Sequence, residues 1–214
     1  MIKKIQNLKF IIHNCNKGMT YVELIVVLGI FGIMSSVVLI NYQDYSSQID
    51  VKTLANDIAL KVVEAQKSAT SGKLAPAGHD PQVLDWKPSF GLYFKSGPIL
   101  GKDFVYFTDL YNLGYCDTSC DTPTAGADWL ETINISKGNY IKDIRVFSSS
   151  NNSQQLSNLS IIFTRSSSGM SVATYNGTTY TPLSGVYYVL ITVSSPSAIT
   201  SSIEIYSSGR IQIK

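Results

Sequence analysis

The sequence contains few of the residues from which catalytic centres are usually built. Only two histidines occur among its 214 residues. It has no glycine loop of the kind that binds phosphate and no His-Glu-x-x-His motif, so nucleotide and zinc hydrolysis have no support. His79 stands beside Asp80 and serines are abundant, but nothing around His79 indicates a nucleophile turn, so we interpret it as a solvated loop residue. The sequence predicts no enzymatic activity and no cofactor.

Cysteine is also scarce, with three in the chain. Cys15 lies in the basic amino-terminal segment, and Cys116 and Cys120 flank a short polar loop. The spacing of the second pair matches half of a zinc site, but no further Cys or His pair supplies the other ligands. Outside the cell the same pair could form a disulfide. We expect a local disulfide or two free thiols rather than zinc.

Acidic residues are too sparse for a calcium loop of the EF-hand type. The segment from Asp109 to Asp117 offers oxygen ligands, but it lacks the alternating acids and the terminal glutamate of that loop. We interpret it as an ordinary acidic turn, and no metal site is predicted.

Alanine is absent from the first 54 residues, and Ala55 is the first in the chain. Signal peptidase I needs small residues after an apolar run, so it has no good site here. Cys15 follows Ile12, His13 and Asn14 and precedes the apolar run, which excludes a lipoprotein signal. Any processing site should therefore lie before the apolar run, at residues 17–20.

Basic residues are concentrated at the amino end. Lys3, Lys4, Lys9 and Lys17 precede Gly18 with no acid among them. The rest of the chain has 13 basic and 15 acidic residues, and so a formal charge of −2. A mildly acidic body gives no general reason to bind nucleic acid.

A single long apolar run extends from Met19 to Ile40. It has 22 residues and one charged residue, Glu23. As an α-helix it would be about 33 Å long, enough to cross a bilayer. The lysines before it, with Asp44 and Asp50 after it, place the amino end in the cytoplasm and the bulk of the chain outside. We expect a single-pass protein of the inner, or cytoplasmic, membrane.

The residues at the start of this run carry a specific resemblance. Gly18-Met19-Thr20-Tyr21-Val22-Glu23-Leu24, followed by apolar residues, resembles the class III signal sequence of type IV pilins and type II secretion pseudopilins. The resemblance implies that a prepilin peptidase cleaves between Gly18 and Met19 and that Met19 is then N-methylated. It also implies polymerisation with other pilin subunits by an assembly platform and its ATPase. The segments GLYF near Gly91, FTRSSSGM ending at Met170 and the terminal SGRIQIK resemble the heads of minor pseudopilins, which implies a similar fold.

Glu23 also has a physical reason to need a partner. A carboxylate in a membrane span costs about 2.5–3.5 kcal/mol at mid-bilayer and less near the interface. Glu23 lies near the cytoplasmic headgroups in the bilayer, but it would lose that environment in a filament core. The cationic amine of the next subunit's Met19 could then compensate its charge. The alternative is a lone interfacial glutamate in a plain membrane anchor.

The rest of the chain predicts an α+β fold with three parts. Apolar residues recur at three- and four-residue steps from Val51 to Ala69, and no proline occurs between Met19 and Ala75, so the helix should continue to Gly72. The predicted parts are a cleaved leader (1–18), a helix (19–72, transmembrane to residue 40 and amphipathic from 41) and a β-rich head (73–214). The helix is expected to pack on an antiparallel sheet in the head.

Nine short segments of the head are rich in β-branched and aromatic residues and predict strands. The last two flank Ser207-Ser208-Gly209 and predict a terminal hairpin. Asn176-Gly177 predicts a tight turn, and the polar tract 148–157 predicts a loop. The predicted strands are Phe90–Lys95, Phe104–Thr108, Trp129–Ile135, Tyr140–Phe147, Leu159–Arg165, Val172–Tyr175, Val186–Val193, Ile203–Tyr206 and Arg210–Lys214.

Together these features favour a structural subunit of a type IV pilus or a type II secretion-like pseudopilus. Such a subunit would leave the membrane for a surface or periplasmic filament. The first alternative is a minor tip pilin that binds DNA or a surface, which direct binding to the head would distinguish. The second is a tethered enzyme, which a turnover assay would distinguish.

Overall fold

The computed structural model describes residues 18–79, 88–122, 126–148, 152–165, 169–175 and 179–214. Three sequence predictions therefore fall outside the described residues: the predicted leader up to residue 17, the residue Asp80 beside His79, and the predicted turn at Asn176-Gly177. The chain divides into two compact units, residues 1–43 and 44–214. The elements are α1 (Tyr21–Thr70), β1 (Ser89–Lys95), β2 (Asp103–Asp109), a 3₁₀ turn (Thr118–Cys120), β3 (Trp129–Asn134), β4 (Tyr140–Ser148), β5 (Ser153–Leu156), β6 (Asn158–Phe163), β7 (Met170–Tyr175), β8 (Tyr180–Leu183), β9 (Val186–Ser194), β10 (Thr200–Tyr206) and β11 (Ile211–Ile213).

The ends of α1 follow from local chemistry. Its first turn carries an acid, Glu23, where the helix dipole favours negative charge. At the other end the N–H of Gly72 donates to the carbonyl of Ala69, and the N–H of Lys73 donates to that of Ser68. Gly72 has a φ of 66°, which completes a Schellman cap. The glycine stop predicted from the sequence is therefore present, and the helix itself ends at Thr70.

The strands form two antiparallel sheets. The first sheet has the order β3-β2-β1-β6-β7-β8, and the second has the order β11-β10-β9-β4-β5. In the first sheet Phe94 pairs with Phe104, which fixes the β1–β2 hairpin. In the second, Ile203 pairs with Ile213, which confirms the terminal hairpin. One long apolar amino-terminal helix and two antiparallel sheets make an α+β layout, as expected.

Two strands were not predicted from the sequence. β5 lies inside the tract 148–157, so the prediction of a loop for that whole tract was wrong. Its residues Ser153–Gln155 are exposed and only Leu156 is buried, because β5 is an edge strand that pairs with β4 alone. β8 is likewise an edge strand, paired with β7. Edge strands with mostly polar side chains lack the alternating pattern by which strands are recognised.

The core of the head lies between α1 and the inner faces of both sheets. Buried residues of α1 recur on one face of the helix and belong to the same apolar cluster as residues of β1, β2, β4, β6, β9 and β10. Full burial of one isoleucine or leucine side chain contributes about 1.5–3 kcal/mol, so this helical face is a major stabilising element. The buried apolar residues of α1 are Val51, Leu54, Ala55, Ile58, Val62, Ala65 and Ala69.

A smaller cluster covers the opposite face of the first sheet. It contains Tyr93, Phe107 and Ile162 from the strands, together with the two cysteines of the β2–β3 connection. A Cβ added at Gly91 would lie 2.5 Å from the carbonyl oxygen of Ile161 and 2.8 Å from the ring of Phe107. This close approach requires glycine at position 91.

Candidate functional site

The predicted processing site stands in front of α1. Gly18 and Met19 are both exposed and precede the first helical residue, Tyr21. A Cβ added at Gly18 would have no neighbouring atom within 4 Å. Packing among the described residues therefore gives no reason for a glycine here, whereas recognition by a peptidase would give one.

Glu23 caps the amino end of α1, a role that the sequence analysis missed. The Glu23 N–H donates to Thr20 Oγ1 at 3.3 Å, and the Thr20 N–H donates to Glu23 Oε2 at 3.4 Å. This reciprocal pattern is a capping box, and its signature, Thr-x-x-Glu, is visible in the sequence. Among the described residues, no ion pair includes Glu23. Within the described part of the chain, the helix amino terminus is the positive end that faces this charge.

The first half of α1 is apolar on all sides and uncovered. Its large hydrophobic side chains from Tyr21 to Leu39 are exposed in the described part of the chain. The helix is long and apolar enough to cross a membrane, by length and composition. Gly29 and Gly32 each have open space around the position of a Cβ, so none of the described residues requires glycine there. A surface of this kind needs lipid or other protein helices around it.

The two cysteines of the head are joined in a disulfide. Cys116 and Cys120 are both buried, and they pack against the first sheet with Tyr93 and Phe107. The pair was predicted as a disulfide or as free thiols, and the structure has the disulfide. The short disulfide ring holds the β2–β3 connection against the first sheet.

Asp109 organises the start of the same connection. Its carboxylate accepts hydrogen bonds from the N–H groups of Leu113 and Gly114 at 2.9 and 3.0 Å. Asn112 has a φ of 55°, so the loop turns back around the carboxylate. Burial raises the pKa of Asp109 above its usual range, although these N–H groups act to lower it. The segment Asp109–Asp117 thus forms a turn around its own acid.

Asp128 is a second buried acid, and the sequence analysis did not identify it. Its side chain is fully buried. Oδ1 accepts from the Leu110 N–H at 3.0 Å and Oδ2 from the Asp117 N–H at 3.3 Å, so Asp128, just before β3, holds both the residue after β2 and a residue of the disulfide loop. Burial raises its pKa to about 7, and the nearby charge of Asp117 acts in the same direction. No sequence pattern around it indicates this role.

Asp128, Asp117 and Cys116 also place one ligand atom each within 4.8 Å of one another. Cys116 is in the disulfide, so it cannot supply the thiolate that a metal would need. The two carboxylates that remain are fewer ligands than a protein site for zinc or calcium uses.

His79 makes a structural contact. Its Nδ1 lies 2.8 Å from the backbone carbonyl oxygen of Ala127. This bond connects the segment after α1 to the residue before Asp128. The sequence analysis treated His79 as a solvated loop residue, and the contact shows that its ring is partly tied down.

Comparisons of the chain with protein-family models, with curated proteins and with solved structures gave no match. The chain's own residues therefore carry any assignment of function. The features that combine position with chemistry are the exposed Gly18-Met19 peptide, the carboxylate of Glu23 and the uncovered apolar helix behind it.

Proposed function

We propose that this chain is the precursor of a structural subunit of a type IV pilus or type II secretion-like pseudopilus. A prepilin peptidase cleaves it between Gly18 and Met19, and Met19 is then N-methylated. The observation that carries the proposal is the helix Tyr21–Thr70, whose first half exposes its apolar side chains while its second half lies in the core of the head. A helix used in this way must be covered first by lipid and then by neighbouring subunits.

The membrane form follows from the length of the apolar half. Residues 19–40 would span about 33 Å as a helix, close to the 30 Å of a bilayer's hydrocarbon core. The exposed cleavage site then lies at the cytoplasmic face and the disulfide-bearing head lies outside, where a disulfide persists. The subunit waits there as a single-pass membrane protein.

In the filament, Glu23 pairs with the amine of the neighbouring subunit's Met19. The capping box uses Glu23 Oε2 at 3.4 Å, but an ionised carboxylate has about four acceptor positions. Glu23 can therefore cap its own helix and accept from an ammonium group at the same time. Because lipid headgroups and water no longer surround it in the filament core, the ammonium ion is needed to offset the cost of burying the charge.

Two substitutions of Glu23 separate pairing from capping. Glu23→Gln preserves the capping box, because glutamine can fill the same position, but it removes the charge. Glu23→Val removes both. We expect both variants to insert in the membrane and be cleaved, and both to be depleted in sheared filaments, as measured by quantitative immunoblotting against the membrane fraction. Normal incorporation of Glu23→Gln would show that the charge is not used in assembly.

A further inference from the structure

The β1–β2 hairpin displays three consecutive apolar residues, Pro98, Ile99 and Leu100, which we name the hairpin tip. Ile99 is 82% exposed, the highest value for a large hydrophobic side chain in the described part of the chain. Leu100 is 59% exposed. Single exposed hydrophobic residues are ordinary, but a consecutive run at the end of a hairpin is a surface suited to an apolar partner.

The backbone holds the hairpin tip in one conformation. The Gly101 N–H donates to the Gly97 carbonyl at 2.8 Å and so closes the turn. The Gly97 N–H donates to the Ile141 carbonyl at 2.9 Å, and the Ile141 N–H donates to the Gly101 carbonyl at 2.8 Å. A Cβ at Gly101 would lie 2.5 Å from the Ile141 oxygen, so this position requires glycine. The apolar side chains are therefore presented by a fixed turn and lose little freedom on contact with a partner.

The hairpin tip lies at the end of the head where α1 enters it. Asp50, near the start of the head's part of α1, pairs with Lys137 of the β3–β4 connection at 2.6 Å. Ile141, four residues after Lys137, makes the two backbone hydrogen bonds that hold the hairpin tip. Ser47 Oγ lies 3.4 Å from Ser197 Oγ in the β9–β10 turn, and the end of β9 before this turn pairs with the start of β4.

The opposite end of the same hairpin lies by the end of α1. Lys73, just past the helix, lies 5.9 Å from the ring centre of Phe90 at the start of β1. Leu74 is 74% exposed beside it. The two ends of β1 thus mark the two ends of the head, with Ile99 and Leu100 exposed near one end and Leu74 exposed near the other.

The chain length brings the hairpin-tip end of the head close to a membrane. Asp44, the first residue of the head unit, follows Ile40 by four residues, which cover at most about 14 Å even when fully extended. Tyr45 is exposed at the same end, and tyrosine is enriched at membrane interfaces. Lys102, also exposed, follows the hairpin tip and could reach lipid phosphates while its stem lies on apolar surface.

We propose that the hairpin tip contacts the headgroup–acyl boundary of the bilayer while the subunit is anchored, and so orients the head on the membrane before assembly. The inference rests on the membrane anchoring of the proposed function, but not on cleavage or on the pairing of Glu23. Pro98, Ile99 and Leu100 supply the apolar contact, and assembly into a filament must break it.

The test uses the full chain, with Cys15→Ser to remove the cysteine outside the Cys116–Cys120 disulfide, at one copy per phosphatidylcholine nanodisc. An NBD fluorophore is attached at Ile99→Cys, with Leu100→Cys as a second site on the hairpin tip. Leu74→Cys is the matched control, since Leu74 has a similar exposure at the other end of the head. NBD emission shifts to the blue in an apolar environment, and lipids with a doxyl group near the headgroup quench it only on contact.

We expect blue-shifted emission and loss of intensity with doxyl lipids at positions 99 and 100, with no change at position 74. No quenching at 99 and 100 in chains that stay in the nanodisc would overturn the proposal, as would equal quenching at position 74. A blue shift without quenching by doxyl lipids, seen only when several copies share a nanodisc, would assign the hairpin tip to contact between subunits and would also overturn the proposal. Release of the chain from the nanodisc would instead refute the anchor, and with it the proposed function.

Discussion

Replacing Asp128 with asparagine should remove most of the pH dependence of the head's stability. Asp128 is fully buried, and its pKa in the folded chain is about 7 instead of 3.8. Because the folded-state pKa is raised, the folded state binds more protons than the unfolded state between these two values. The contribution of Asp128 to the stability of the head should therefore be greatest below about pH 4, and it should fall as the pH rises to about 7.

The size of the effect follows from the shift in pKa. A shift of about three units corresponds to roughly 4 kcal/mol at most, since each unit is about 1.4 kcal/mol. Burial is the main cause, and the N–H groups of Leu110 and Asp117 offset part of it. Asp109 should make the head less stable as the pH rises in the same way, because burial also raises the pKa of Asp109.

Urea unfolding of the full chain in detergent micelles, followed by near-ultraviolet circular dichroism at about pH 5 and about pH 8, measures this difference. The wild type should lose stability at the higher pH, and Asp128→Asn should lose much less. Asp57→Asn is the matched control, because Asp57 is an exposed aspartate on α1, and it should behave as the wild type. Two results would refute the reasoning. One is a wild type that is equally stable at the two pH values, and the other is an Asp128→Asn variant that loses as much stability between them as the wild type.

Two other substitutions test the packing of the sheets. Glu204 is buried and accepts hydrogen bonds from Lys214 at 2.6 Å and from the Tyr206 hydroxyl at 3.0 Å. Burial acts to raise the pKa of Glu204, but these bonds outweigh it and the pKa lies below its usual range, so its contribution is present at neutral pH and is lost as the pH falls. Glu204→Gln should cost about 1–3 kcal/mol at neutral pH in chemical unfolding and should lose less in acid than the wild type; equal stability would contradict the role of the pair. Gly91→Ala should cost about 1–3 kcal/mol in the same assay, because the added Cβ would lie 2.5 Å from the Ile161 oxygen, and an unchanged midpoint would show that the strands can separate freely.

The elements with strong periodicity were predicted well from the sequence. Apolar steps along α1 from Val51 to Ala69 identified the residues that lie in the core, and Gly72 marked the end of the helix. Alternation in Ile203 and Ile205, and in Ile211 and Ile213, identified the terminal hairpin, in which the structure pairs Ile203 with Ile213 and Ile205 with Ile211. On α1 the pattern reflects burial on one side of the helix, whereas in the hairpin Glu204 is buried together with Ile203 and Ile205, because Lys214 and Tyr206 donate hydrogen bonds to its carboxylate.

The missed features depend on contacts between distant residues or on weak local patterns. β5 and β8 are held by neighbouring strands rather than by their own composition. Asp128 acquires its role because the fold brings Leu110, after β2, and Asp117, in the disulfide loop, to its carboxylate. The Thr-x-x-Glu signature of the capping box at Thr20 and Glu23 is visible in the sequence. It was missed because a charged residue in an apolar run also predicts a partner outside the helix.

The amino terminus of the mature chain tests the central claim most directly. Intact-mass and peptide mass spectrometry of the chain from membranes and filaments should show a terminus at Met19 carrying an N-methyl group. The Gly18→Leu variant should keep its leader, whereas Gly29→Leu, at a glycine with similarly open surroundings, should be processed normally. A wild-type chain that retains Met1 in both fractions, or that begins at any residue other than Met19, would contradict the account.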